Sequence, residues 1–328
     1  MLNNILIMMM LEQKRYKKRN NLLNKERQYF NYERQNDPVS LINDGISVNR
    51  FVRMFRLSPQ GYLYVLTALK PYFNCIKSHV GRNRILDSTR LGIYLVFVGR
   101  DPDYFNVGLV FGVSESSVKR IVEEVNRGIL LVFNNIVQVP NTVEQLEEKA
   151  HEFEQLHENQ FNNCIGAIDG VHIPIGITDK TTYTSYYNHK GFYSFNSIVL
   201  VDARCKILAA DLGFPGCRHD SYCFDMGTIK SFVESLPNRF MVVADAGFAL
   251  TSKLLIPFDK NELLVNEEHR GPFNVKLSQC RVRTEMAFGM IKKRFRMLRT
   301  PVEIDKETHI KITMAIFILH NLCIDLST

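Results

Sequence analysis

Three acidic residues, far apart in the chain, occupy places where an ordinary solvated role is a poor explanation. Asp169 stands inside the apolar run "NNCIGAIDGVHIPI", Asp245 near the end of "RFMVVADAGF", and Glu285 as one acid in a row of bases, Arg281, Lys292, Arg296 and Arg299. A bare carboxylate at the end of a buried strand is costly, and two of them side by side repel unless something positive lies between. A divalent cation is the simplest remedy, and an all-oxygen donor set favours Mg²⁺ or Mn²⁺ over zinc. The cations around Glu285 suit the phosphates flanking a bond to be cut. Gly170 and Gly247, just past the aspartates, would keep the backbone low so that a substrate can approach.

Such a site needs elements that bring the acids together. "CIGAIDG", "FNSIVLVDA" and "KILAADLGF" read as three hairpin-compatible strands, "HDSYCFDMGTIKSFVESL" as a crossover helix, and "RFMVVADAGF" as a fourth strand. The fourth is most simply parallel to the first, which places Asp169 beside Asp245. Glu285 falls in "SQCRVRTEMAFGMIKKRFRMLRT", a helix whose expected buried stripe is Val282, Met286, Met290, Ile291, Phe295 and Leu298. Gly289, one turn after Glu285, would let that helix sit close over the strands. Asp220, opening the crossover helix in "HDS", is a helix N-cap on local grounds. His172 and His219 border the acids, and each is more often structural than catalytic in such a place. "HIKITMAIFILHNLCI" reads as a closing core helix in which His320 and Asn321 bridge buried backbone.

Upstream, the pattern is helical over 41–137, with Pro59 and Pro71 as expected boundaries. In "DPDYFNVGLVFGVSESSVKRIVEEVNRGILLVF" a short helix runs into Gly112. Ser114 then caps a longer helix with an apolar stripe of Val118, Ile121, Val122, Val125 and Ile129. This is helix-turn-helix grammar, and it would offer Ser116, Ser117, Lys119 and Arg120 to a DNA groove or backbone. A basic arm over 1–40, rich in Lys and Arg, suits nuclear import or phosphate contact, and a charged linker helix over 138–163 joins the halves.

Composition narrows the classes. The 328 residues are 45% hydrophobic with a net charge of +7, which supports a packed core and an anionic partner. Seven cysteines without a CxxC pair suggest reduced thiols, and Cys217 and Cys223 around His219 are poorly spaced for a metal knuckle. The early "ILIMMML" lacks the flanks of a signal peptide, no run is long enough to span a membrane, and the expectation is a soluble intracellular protein. A serine or cysteine hydrolase finds no nucleophile elbow here.

The order "AIDGVHIPI", "PGCRHDS", "ADAGF", then RxxxE with a base seven positions after the Glu resembles the DDE transposases of the PIF/Harbinger superfamily, most closely the Harbinger transposase-derived nucleases of animals. The resemblance covers nearly the whole chain. It implies an RNase H-like α/β catalytic domain (164–328), a mixed sheet flanked by helices, preceded by an all-α region with a helix-turn-helix. It implies a triad of Asp169, Asp245 and Glu285 holding two Mg²⁺ or Mn²⁺ ions for phosphodiester hydrolysis, with Asp220 as an accessory metal residue. Arg281, Lys292, Arg296 and Arg299 would contact DNA. A Myb-like (SANT) DNA-binding partner, no small-molecule substrate, and a nuclear location with cytoplasmic shuttling are implied as well. The alternative is a catalytically silent, domesticated DNA- or chromatin-binding adapter. Ser278 stands where a related bacterial signature carries Tyr, a departure from that wider group rather than from Harbinger.

Overall fold

The computed structural model describes residues 37–75, 85–100, 102–156, 162–177 and 184–326. Nearly all of the basic arm expected over 1–40 lies outside the described residues. The N-terminal part comprises α1 (Pro38–Asn43), α2 (Val48–Phe55), α3 (Pro59–Cys75), α4 (Asp87–Gly99), α5 (Tyr104–Phe111) and α6 (Glu115–Val132). The caps that the sequence offers are used: Asp103 accepts from Asn106 N, Gly112 turns α5 off at φ 64°, and the Ser114 hydroxyl accepts from Ser117 N. The buried face of α6 is the expected stripe from Val118 to Ile129. Pro59 does start a helix, whereas Pro71 lies inside α3, which continues to Cys75.

α7 (Val143–Leu156) leads into the sheet, β1 (Cys164–Pro174), β2 (Ser194–Val201) and β3 (Ile207–Pro215). Then follow α8 (Asp220–Met226), α9 (Thr228–Ser235), β4 (Met241–Val243) and β5 (Leu254–Leu255). The strand order is β3-β2-β1-β4-β5. β1 pairs antiparallel with β2 and parallel with β4, and β4 pairs parallel with β5. With helices on both faces this is the RNase H-like α/β arrangement. The crossover is two helices rather than one. Asp211 of β3 accepts from Thr228 Oγ1 and Ile229 N, capping α9 separately, and a Cβ at Gly227 would lie 2.2 Å from that carboxylate.

α10 (Lys260–Val265), α11 (Glu267–Arg294), a 3₁₀ turn (Arg296–Arg299) and α12 (Lys306–Asp325) complete the chain. Val171, Ile173, Phe195 and Val199 on one sheet face join α12 and the N-terminal helices in one hydrophobic cluster. Ile165, Ile168, Ile198 and Leu200 on the other face pack with α7, α8 and α9. α12 is apolar and buried almost all round, and each of its isoleucines removed from water is worth about 2 kcal/mol. Its polar end behaves as expected: His320 Nε2 donates to Cys205 O at 2.8 Å. Asn321 pairs with both backbone groups of Ile207 and donates to Ile136 O.

Candidate active site

The parallel pairing of β1 with β4 sets the site. Ala167 and Val243 are the last residues in register between them, and Asp169 and Asp245 each lie two positions further on. The two carboxylates therefore emerge at matching heights on adjacent strands. Asp169 Oδ1 accepts from Gly170 N at 2.8 Å, and Asp245 Oδ1 accepts from Gly247 N at 2.9 Å. Burial pushes the Asp169 carboxyl up to about 6; the Gly170 N–H opposes this, and repulsion from Asp245 adds to it.

α11 crosses this sheet end. Thr284 Oγ1 lies 3.2 Å from Asp169 Oδ2 and donates at 2.8 Å to Arg281 O within its own helix. The Arg281 guanidinium holds Glu285 Oε1 at 3.0 Å and reaches to 4.0 Å from Asp169 Oδ2. The structure thus gathers Asp169, Asp245 and Glu285 at one end of the sheet, with a cationic side chain between two of them.

Asp220 belongs to the other face of β1. A Cβ on Gly170 would fall 2.2 Å from its carboxyl carbon, and because side chains alternate along a strand it stands across β1 from Asp169. The space left by Gly170 is filled by Asp220 and not held open for substrate. The N-cap of α8 is His219, with Asp220 the first helical residue, so the capping expectation for Asp220 is corrected. Its Oδ1 accepts from Asn196 Nδ2 at 2.7 Å, and the same amide donates to Arg218 O. On this face His172 Nδ1 meets Ser194 Oγ at 3.0 Å, and burial lowers the imidazole to about 4 against the pull of Asp220.

Residues 168–321 match the family described as DDE superfamily endonuclease. The rat protein named "Putative nuclease HARBI1" is 25% identical over 227 residues, 67% of this chain and 62% of its own length. Its human counterpart is 23% identical over 223 residues, with the same coverage. The chain therefore spans about 62% of the length of these curated relatives. Residues 168–321 are thus similar to DDE superfamily endonucleases, and about two thirds of the chain is similar to relatives named as nucleases. A chain of the Mos1 transposase paired-end complex with left transposon end is 11% identical, over 79% of this chain and 97% of that one, with a TM-score of 0.21.

The cations of this part of the chain are distributed unevenly. Lys292 Nζ donates to His172 O at 3.3 Å, and burial with the nearby Lys190 and Arg299 lowers its pKa. Arg299 is thus grouped with Lys292. Arg296 instead rims a cleft of about 340 Å³ with Met54, Phe55, Val96 and Arg100, facing the N-terminal helices. Ser116, Lys119 and Arg120 are exposed on α6; Arg120 Nε lies 4.0 Å from Glu124, and the Ser116 hydroxyl bonds Ser114.

Of the expected buried stripe, Ile291 in α11 and Phe295 and Leu298 just past it are buried, but the rest differs. Val282, Met286 and Met290 are exposed, and the residues facing the sheet are Leu277, Cys280, Thr284, Ala287 and Ile291. Small side chains let the helix approach, whereas Gly289 meets nothing within 4 Å and plays no packing role. Thr284 and Asn196 are the site residues that sequence reasoning missed. A polar residue at a helix position otherwise due to be apolar, and an Asn inside the apolar run "FNSIVLV", were the available signals. Cys217 is exposed and Cys223 buried.

The donor chemistry fits a divalent cation: carboxylate oxygens, two of them mutually repelling, with a guanidinium standing where positive charge is wanted. Among the described residues, no three acidic, His or Cys side chains lie close enough together to hold an ion as they stand. Glu285 is turned to Arg281 and not to the aspartates. Among the described residues, no helix is long and apolar enough to cross a membrane.

Proposed function

We propose that this protein is a divalent-metal-dependent DNA endonuclease, transposase-derived, with Asp169, Asp245 and Glu285 as the acids that hold the ions. The observation that supports this best is the matched position of two half-buried aspartates on adjacent parallel strands beneath a helix bearing Glu285 among bases. When bound, a pair of Mg²⁺ or Mn²⁺ ions supplies the positive charge that eases water attack and departure of the 3′ oxygen. The chain's own contribution is to hold the two aspartates at fixed height, keep Asp169 partly dry, and bring Glu285 in from α11. Lys292, Arg281 and Arg299 neutralise phosphates beside the cut, and Arg296 meets DNA nearer the N-terminal helices. Asp220, held by Asn196, acts as an accessory residue. Ser116, Lys119 and Arg120 contact DNA from α6, and a Myb-like partner in the nucleus adds targeting.

Incubating the purified protein with supercoiled plasmid and Mn²⁺ or Mg²⁺ tests this reading. Nicking that Asp245→Ala abolishes, with the circular dichroism spectrum and Tm retained, is the expected result. Equal nicking by the variant, or none by wild type with a Myb-like partner present, would favour a DNA- or chromatin-binding adapter.

A further inference from the structure

The placement of Arg281 poses a problem that the endonuclease reading does not absorb. Its guanidinium lies between an aspartate and a glutamate that both belong to the candidate metal site, 4.0 Å from Asp169 Oδ2 and 3.0 Å from Glu285 Oε1. A phosphate-binding arginine needs its donors free, and this one has them turned toward carboxylates. Glu285 is more than half exposed, so burial does not hold it in this pose. The four-residue spacing on α11 makes the pair geometrically easy, and the neighbouring Thr284 keeps Asp169 Oδ2 facing the helix.

We infer that Arg281 is a built-in counter-ion which occupies the site in the metal-free protein, keeps Glu285 turned away from the aspartates, and must swing out before a divalent cation can be held. The inference rests on reading Asp169 as an ion ligand. A guanidinium cannot remain among carboxylates whose oxygens coordinate a divalent cation, because like charges disfavour each other and the oxygens are shared. Metal binding therefore exchanges one cation for another and releases the Arg281 donors. Once released, the side chain is positioned one turn from Glu285 to take a DNA phosphate. Arg281 is a positioning residue here: ion loading and exposure of a phosphate contact become one event.

Calorimetric titration of Mn²⁺ into the full chain separates the possibilities. Relative to wild type, Arg281→Gln should bind Mn²⁺ more tightly, by about fivefold as expected when a half-exposed ion pair is no longer broken. Asp169→Asn should bind far more weakly. In EDTA, Arg281→Gln should show a lower Tm than wild type, and the gap should close on adding Mn²⁺; a merely structural helix pair would lower Tm equally in both conditions. If Arg281→Gln binds Mn²⁺ no better than wild type while Asp169→Asn loses it, the counter-ion role is wrong and the metal site stands. If Asp169→Asn binds Mn²⁺ like wild type, the metal-site reading itself fails. Should Arg281→Gln not fold, the wild-type side chain reports directly. Its Nε–H resonance should shift and exchange faster on adding Mg²⁺, and an unchanged resonance overturns the proposal.

Discussion

On one face of β1, Asp169 has a hydroxyl at 3.2 Å and a guanidinium at 4.0 Å, and burial, with a like charge from Asp245 added, keeps its carboxyl high. On the other face, one residue along, Asp220 lies against Gly170 with its oxygen bonded to Asn196, itself fully buried. The two acids are neighbours in space yet differ in what their surroundings leave undone. Asp220 is satisfied by a fixed neutral donor, which positions it. Asp169 is undercompensated, and an undercompensated carboxylate beside another is where an external cation has most to offer.

The largest test of that contrast is catalytic. If the proposed endonuclease reading is right, Asp169→Asn and Asp245→Asn should each lower plasmid nicking by on the order of a thousandfold or more, because each would remove an oxygen proposed to hold the ion. Asp220→Asn should cost only about ten- to a hundredfold, as for a group acting through those that hold the metal. Equal losses at all three positions would erase the distinction between the faces.

Packing sharpens it next. Gly170→Ala puts a Cβ 2.2 Å from the Asp220 carboxyl carbon, and the Asn196 hydrogen bond resists its retreat. A loss of about 1–3 kcal/mol in urea unfolding is expected, with nicking reduced only to the level of Asp220→Asn, since Asp169 faces the other way. A fall as deep as that of Asp169→Asn would mean that the two faces are mechanically one site.

Asp169 also makes a pH prediction. Its folded pKa of about 6 lies above the ordinary carboxylate value, so between about pH 4 and 6 the folded state keeps a proton that the unfolded chain has released. Stability falls as pH rises through that window, and the deficit persists above it. Asp169→Asn should therefore be more stable than wild type at pH 7 without metal, by about 2 kcal/mol, with the advantage shrinking toward pH 4. An advantage that does not change with pH would assign it to packing.

Much of this was legible in residue types and spacing, for reasons that are local. Gly112 and Ser114 act through bonds to their own neighbours, so the turn between α5 and α6 followed from a few letters. The alternation of apolar runs implied a parallel β4 beside β1, and with it the aspartate pair. α11 was harder because its charge pattern is compatible with more than one inward face. The large apolar residues Val282, Met286 and Met290 outweighed the small ones, yet close approach of a helix to a sheet favours Cys280, Thr284 and Ala287. Gly170 raised a similar ambiguity: a missing Cβ signals close approach without saying of what, and the occupant, Asp220, comes from an element fifty residues away. β5 is two residues long and rests on its pairing with β4, which no local pattern records.

The finest test concerns Thr284, the neutral donor on the undercompensated face. Its single hydroxyl proton has two acceptors, Arg281 O at 2.8 Å and Asp169 Oδ2 at 3.2 Å. The shorter bond serves the helix and the longer one the site. Thr284→Val keeps the shape and removes the proton. A donor to a carboxylate stabilises its charged form, so the substitution should raise the Asp169 pKa, by about half a unit given the competing bond. At subsaturating Mn²⁺ the acid limb of the pH–rate profile should move toward neutrality, with nicking reduced severalfold at pH 6 and nearly unchanged at pH 8. A uniform fall at both pH values would place the hydroxyl's effect in the helix alone, leaving Arg281 as the group on α11 that compensates Asp169.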